Sequence, residues 1–232
     1  MARKKVVLVI VEGPSDDTAL GIGLSQVFDK NTIYIHIMHG DITTKDGINS
    51  ANIVSKIGNV VREYAKSQHY RANDFKQIIH IVDTDGAFIP DEKIFGDADL
   101  NEVIYDSDGI YTVDVESIKG RNVQKRDNLY KLRTQRTIWN IPYRVYYMSC
   151  NLDHVLYDKR NSSDDEKESD AYKFARAYKG RKQEFIDFLC GSIFSVNVDY
   201  KKSWEFIERE MNSIERHTNI CICIKEEAEK QE

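Results

Sequence analysis

Two apolar runs that each end in acids constrain the fold of this chain more than any other feature. Val6-Val7-Leu8-Val9-Ile10-Val11 leads into Glu12-Gly13-Pro14-Ser15-Asp16, and Ile78-Ile79-His80-Ile81-Val82 leads into Asp83-Thr84-Asp85-Gly86. Short apolar runs bounded by turn residues and rich in β-branched side chains read as strands buried on both faces. Such strands belong to parallel sheets covered by helices, and ligands of these sheets bind beyond the C-terminal ends of the strands. Both runs therefore deliver carboxylates to one sheet edge.

Around these runs the pattern alternates. Pro14-Ser15-Asp16-Asp17 has the composition of a helix start, and the helix continues through Ala19, Leu20, Leu24 and Val27 to about Lys30. Residues 33–38 read as a second strand, closed by His39-Gly40-Asp41. Ile53, Ile57, Val60, Val61 and Tyr64 recur on one face of a helix over 48–68. The third strand is 77–82. Residues 86–117 are irregular with a short strand at 110–113, a helix covers 122–138, and 143–148 form a fourth main strand. This alternation predicts an α/β, Rossmann-like, mostly parallel sheet over residues 1–160. Asp164 to Asp170 reads as a solvated acidic connection. Helices over 172–189 and 204–216, with Gly191 as a stop, predict a helical C-terminal region over 161–232.

Composition narrows the class. With 31% charged residues, a mean hydropathy of −0.53 and no apolar stretch of spanning length, no membrane partner is expected. The basic start Met1-Ala2-Arg3-Lys4-Lys5 runs into a strand and an acid rather than a signal peptide, so a cytoplasmic location is expected. Cys150, Cys190, Cys221 and Cys223 form no CxxC pair and lack zinc-finger spacing to histidine, which predicts reduced thiols. A net charge of −5 excludes a global attraction to nucleic acid. Such contact falls to local basic patches or to metal ions that offset the acids.

Polar residues end four strands at the expected binding edge: Glu12, His39 with Asp41, Asp83 with Asp85, and Asn151 with Asp153. In an extended Asp83-Thr84-Asp85 both carboxylates share one side of the backbone. Several carboxylates without cysteine or clustered histidine make a hard-oxygen site of the kind that suits Mg²⁺ or Mn²⁺.

Val11-Glu12-Gly13-Pro14-Ser15-Asp16 resembles the first motif of the TOPRIM domain, and Val82-Asp83-Thr84-Asp85-Gly86 resembles its DxD motif, in the same order and about 70 residues apart. The resemblance covers roughly residues 5–160. The Asp-Thr-Asp-Gly form, in place of DPDxxG, is closer to the OLD-like nucleases of that family than to its primases, topoisomerases or maturases. It implies metal-dependent cleavage of nucleic acid, with Glu12, Asp83 and Asp85 catalytic. It also implies Glu12, Asp16, Asp83, Asp85 and Asp153 as ligands of Mg²⁺ or Mn²⁺, Glu12 being either a further ligand or the general base. Two ions about 4 Å apart would clamp the attacking and leaving oxygens. No GxxxxGK[ST] pattern is present, so the ATPase half of full OLD proteins is missing. The resemblance then implies a stand-alone phage-defence effector that works with a separately encoded ATPase.

Each acid taken alone has an ordinary explanation. Acids in a first helical turn gain about 0.3–1 kcal/mol from the helix dipole, and Asp-Gly after a strand is a common turn. Lys119, Arg121, Lys125, Arg126, Lys131, Arg133 and Arg136 oppose one acid, Asp127, a net of +6 over 119–136. As a nucleic-acid-binding surface they would track phosphates. Leu129 and Leu132 share their arc of the helical wheel, so a partly packed, solvated helix fits equally. His36 and His80, inside apolar strands, read as core residues, whereas His39 and His154 sit at strand ends without a spacing signature. Two competing functions stand beside the nuclease: a non-catalytic partner-binding or sensor module, and a HAD-like phosphatase, whose nucleophile motif Asp83-x-Asp85-Gly86 echoes. Residues 161–232 fit a helical lid, a surface for a second copy of the chain in a homo-oligomer, or a docking surface.

Overall fold

The computed structural model describes residues 4–28, 33–39 and 42–228, with 33–39 described by its backbone. In chain order the elements are β1 (Lys5–Val11), α1 (Pro14–Val27), β2 (Ile33–His39), α2 (Ile53–Ser67), β3 (Phe75–Asp83), β4 (Ile94–Gly96), β5 (Ile104–Asp106) and β6 (Gly109–Thr112). They continue with α3 (Val115–Thr134), β7 (Thr137–Ile138), β8 (Ile141–Met148), α4 (Leu152–Tyr157), α5 (Asp164–Tyr178), α6 (Lys182–Gly191), α7 (Tyr200–Ile207) and α8 (Ile220–Ala228).

The fold is α/β. The main sheet has the order β2-β1-β3-β8-β7, with the first four strands parallel and β7 antiparallel at the edge. A smaller mixed sheet, β4-β6-β5, lies in the segment between β3 and α3. The continuous apolar text of β1 follows from cover on both faces. Val7, Val9 and Val11 pack with Leu20 and Leu24 of α1, Phe174 of α5 and Phe185 of α6. Val6, Leu8 and Ile10 pack with Ile53 and Ile57 of α2, Leu129 and Leu132 of α3 and Trp204 of α7. Residues 161–232 thus contribute to the cores on both faces of the sheet. Among the described residues, no helix is long and apolar enough to cross a membrane.

Several elements differ from expectation for physical reasons. The second helix begins at Ile53 rather than 48, after two tight turns. The third begins at Val115, capped by Asp114, and stops at Thr134 instead of 138. Ile138 belongs to a β7–β8 hairpin whose two turn residues, Trp139 and Asn140, are left-handed at φ +52° and +62°. The expected acidic connection is the first half of α5. Ser163 caps it in a reciprocal box with Glu166, and Asp164 and Asp165 occupy the first turn, where the dipole favours acids. Gly180, left-handed at φ +77°, splits the expected 172–189 helix into α5 and α6. The last expected helix runs over Tyr200–Ile207, and 208–216 form turns whose polar groups brace the loops at the sheet edge. Reduced thiols hold for Cys150 and Cys223, both buried. Cys190 and Cys221 instead pair as a disulfide, Cα–Cα 5.0 Å, because α6 and α8 pack side by side on one core.

Candidate functional site

From β1 the chain moves out to β2 and then returns to lay β3 on the other side of β1. Connections leave the C-terminal ends of β1 and β3 in opposite directions there, which opens the crevice where parallel sheets bind ligands. Glu12 follows β1 and Asp83 ends β3, so both strand-end acids stand at this switch point.

Asp16 sits in the first turn of α1, where its Oδ2 accepts the Gly13 N–H at 2.8 Å. It therefore caps the helix, and burial raises its pKa ahead of the lowering effect of that bond. Thr84 and Asp85 continue the β3–β8 contact beyond the strands, their N–H groups donating to the carbonyls of Met148 (2.9 Å) and Cys150 (2.7 Å). The chain then turns: the Ala87 N–H reaches the Thr84 carbonyl at 2.8 Å, and Asp85 and Gly86 are left-handed at φ +47° and +64°. The extended alternation expected through Asp85 stops at Thr84, since Asp and Gly both tolerate positive φ.

This turn hands Asp85 to α3. The Lys125 ammonium bonds its carboxylate and lies 3.6 Å from Glu12 Oε1, with the lysine side chain 0% exposed. Arg121 donates to the Asp85 carbonyl at 2.8 Å and to the Tyr105 hydroxyl at 2.7 Å. Thr43, buried, donates to Glu12 Oε1 at 3.4 Å and its own carbonyl accepts from Asn128 Nδ2 at 2.8 Å.

Asp83 keeps some exposed surface but is densely surrounded by protein. Burial is the first cause that holds its carboxyl well above the usual carboxylate range, followed by the charges of Glu12, Asp16 and Asp85, with the charge of Lys125 opposing them. Asp153, in the first turn of α4, is 5% exposed and its Oδ1 has no protein partner. Burial, then the charge of Asp16, pushes its pKa up to about 6. Among the described residues, no three His, Cys, Asp or Glu side chains converge as a ready-made metal-holding group. The chemistry of the donors nevertheless suits a hard divalent cation. Asp83 gathers three like charges against one lysine, and Asp153 presents an orphaned buried oxygen.

The basic residues of 119–136 do not share one surface. Arg121 and Lys125 face the acidic edge, and Arg126 donates to the Ala87 carbonyl at 2.9 Å. Arg133 pairs with Glu208 and stacks on Tyr130 at 4.7 Å, Lys119 pairs with Glu116 at 2.8 Å, and Arg136 is exposed. His80 is a core residue, its Nδ1 2.8 Å from the Tyr143 hydroxyl, and buried His154 has its pKa lowered to about 4 by burial. Asp41 and the side chains of His36 and His39 lie outside the described residues.

Sequence reasoning passed over Lys125, Thr43 and Asn128 as partners of the acids. A signal for Lys125 exists: Ile118, Asn122, Lys125, Leu129 and Leu132 recur at spacings of four and three, one stripe of a helix in which polar residues interrupt apolar ones. No protein-family model, curated protein or solved structure matches the chain.

Proposed function

We propose that the chain is a Mg²⁺- or Mn²⁺-dependent hydrolase of phosphodiester bonds in nucleic acid. The observation that carries this reading is the placement of Glu12 and Asp83 at adjacent strand ends where the sheet order reverses, with Asp83 surrounded by three further carboxylate charges. The resemblance of these two segments to TOPRIM motifs, and within that family to the OLD-like nucleases, supports the same chemistry.

Asp83, Glu12, Asp16 and Asp153 would hold the cation through carboxylate oxygens, joined by Asp85 where its pair with Lys125 opens. Bound there, a divalent cation supplies charge neutralisation at the phosphate and a more acidic water. Glu12 follows β1 at the switch point, in contact with Thr43 and Lys125, and would serve as a ligand or accept the proton of the attacking water. Asp85 shapes the site through its turn and its pair with Lys125. Lys131 and Arg136, in the second half of the basic stretch, are exposed and would offer charge to a polyanion. The test is cleavage of labelled DNA and RNA by the purified chain. Products are expected with Mg²⁺ or Mn²⁺ and none with EDTA, whereas equal cleavage in EDTA would refute the metal dependence.

One observation favours a second reading, a non-catalytic binding module: Lys125 already engages Asp85, and no three acids converge among the described residues. Metal binding without any cleavage would select it.

A further inference from the structure

A lysine with no exposed surface is rare, because removing an ammonium from water is costly unless carboxylates answer it. Lys125 stands in the buried stripe of α3 between Ile118 and Leu129, and its ammonium reaches Asp85 Oδ2 and approaches Glu12 Oε1 at 3.6 Å. Nothing about Asp85 is slack. Its backbone is left-handed at φ +47°, its N–H is tied to the Cys150 carbonyl and its own carbonyl to Arg121. The carboxylate is thus aimed at Lys125 by the turn, and Glu12 is drawn toward the same ammonium from the neighbouring strand end.

We propose that Lys125 is the internal cation of the acidic edge: it occupies the space between Glu12 and Asp85, and a divalent cation that engages these carboxylates binds in competition with it. The inference rests on the metal-dependent reading of the site. Ammonium and metal seek the same oxygens and repel each other, so uptake of the metal moves the lysine head away from at least one of its partners. This accounts for the lack of a converged three-acid group among the described residues, since Asp85 is committed to Lys125 rather than to its fellow acids. Lys125 is then a positioning residue that sets the affinity of the metal site.

The test is Mn²⁺ binding to metal-free protein by calorimetry. Lys125→Met keeps the length of the chain and removes its charge, and should tighten Mn²⁺ about tenfold, within the range seen when groups around metal ligands change. Lys125→Arg, which keeps the charge, should not tighten it. A folded Lys125→Met variant that binds Mn²⁺ as the parent does, or more weakly, overturns the competition while leaving the metal site standing. No Mn²⁺ binding by either protein removes the metal reading itself. Acylation of the unaltered protein with an amine-reactive reagent, read by mass spectrometry, gives an answer even where the Met variant fails to fold. Lys125 should resist labelling in EDTA and label faster with Mg²⁺, and a labelling rate indifferent to Mg²⁺ overturns the proposal.

Discussion

Thr84→Val tests whether the turn that carries Asp83 and Asp85 is held from behind by the C-terminal segment. Thr84 is 0% exposed; its hydroxyl donates to the Ser213 carbonyl at 2.6 Å and accepts from the Cys150 N–H at 2.9 Å. The Cys150 N–H also reaches the Ser213 carbonyl at 2.9 Å, so removal of the hydroxyl orphans neither group. The loss is one full hydrogen bond and a share of another, about 1–2 kcal/mol, well short of the roughly 1–3 kcal/mol for each group left buried and unpaired. A methyl cannot sit as close to those atoms as the hydroxyl does, which adds strain and brings the total to about 2 kcal/mol. Thr84→Ser keeps the hydroxyl and loses one methyl, about 0.8 kcal/mol. Urea denaturation with shared m-values separates the two. A Val variant as stable as the parent, or more stable than the Ser variant, would refute the bracing of the acid turn by residues 208–219.

Three other outcomes follow from named contacts. Gly23→Ala gains up to about 1 kcal/mol of helix propensity, but its methyl would lie 2.2 Å from the ring of fully buried Phe185. Overpacking of about 1–3 kcal/mol wins, and a raised urea midpoint would contradict the fit of α1 against α6. Asp153 has a folded pKa of about 6 against 3.8, so its contribution to metal-free stability is full below pH 3.8 and is lost as pH rises through 6. Asp153→Asn should therefore reduce the fall in Tm between pH 4 and 7 in EDTA, and an undiminished fall would show that Asp153 is not its source. Thiol titration of the denatured, unreduced protein should find two reactive groups, Cys150 and Cys223, whereas four would exclude the Cys190–Cys221 pair.

The sheet and its C-terminal edge were legible because β1 and the later halves of β3 and β8 are buried on both faces, which leaves runs of mostly apolar text with an abrupt polar end. That same rule placed Glu12 and Asp83. It could not follow Asp85 past Thr84, where the positive φ of Asp85 and Gly86 redirects the chain toward α3. The small β4-β6-β5 sheet was illegible beyond its middle strand, as β4 and β5 are three residues each and carry no period. Lys125 was hidden among seven basic residues whose count suggested a surface, although its place between Ile118 and Leu129 marks a buried stripe. The Cys190–Cys221 pair, 31 residues apart, depends on how α6 and α8 pack, and spacing alone does not carry that.

The proposed cation-dependent hydrolytic centre at Asp83 is tested most directly by comparing cleavage of nucleic acid by the parent and by Asp83→Asn in Mg²⁺ and in Mn²⁺. The substitution keeps the size of the side chain and removes the charge that three neighbouring acids and Lys125 surround. Cleavage should fall about 10²–10⁴-fold, the scale of losing a catalytic group, with the melting temperature held or raised because a strained carboxyl has been neutralised. A folded Asp83→Asn variant that cleaves at the parent rate would contradict the account.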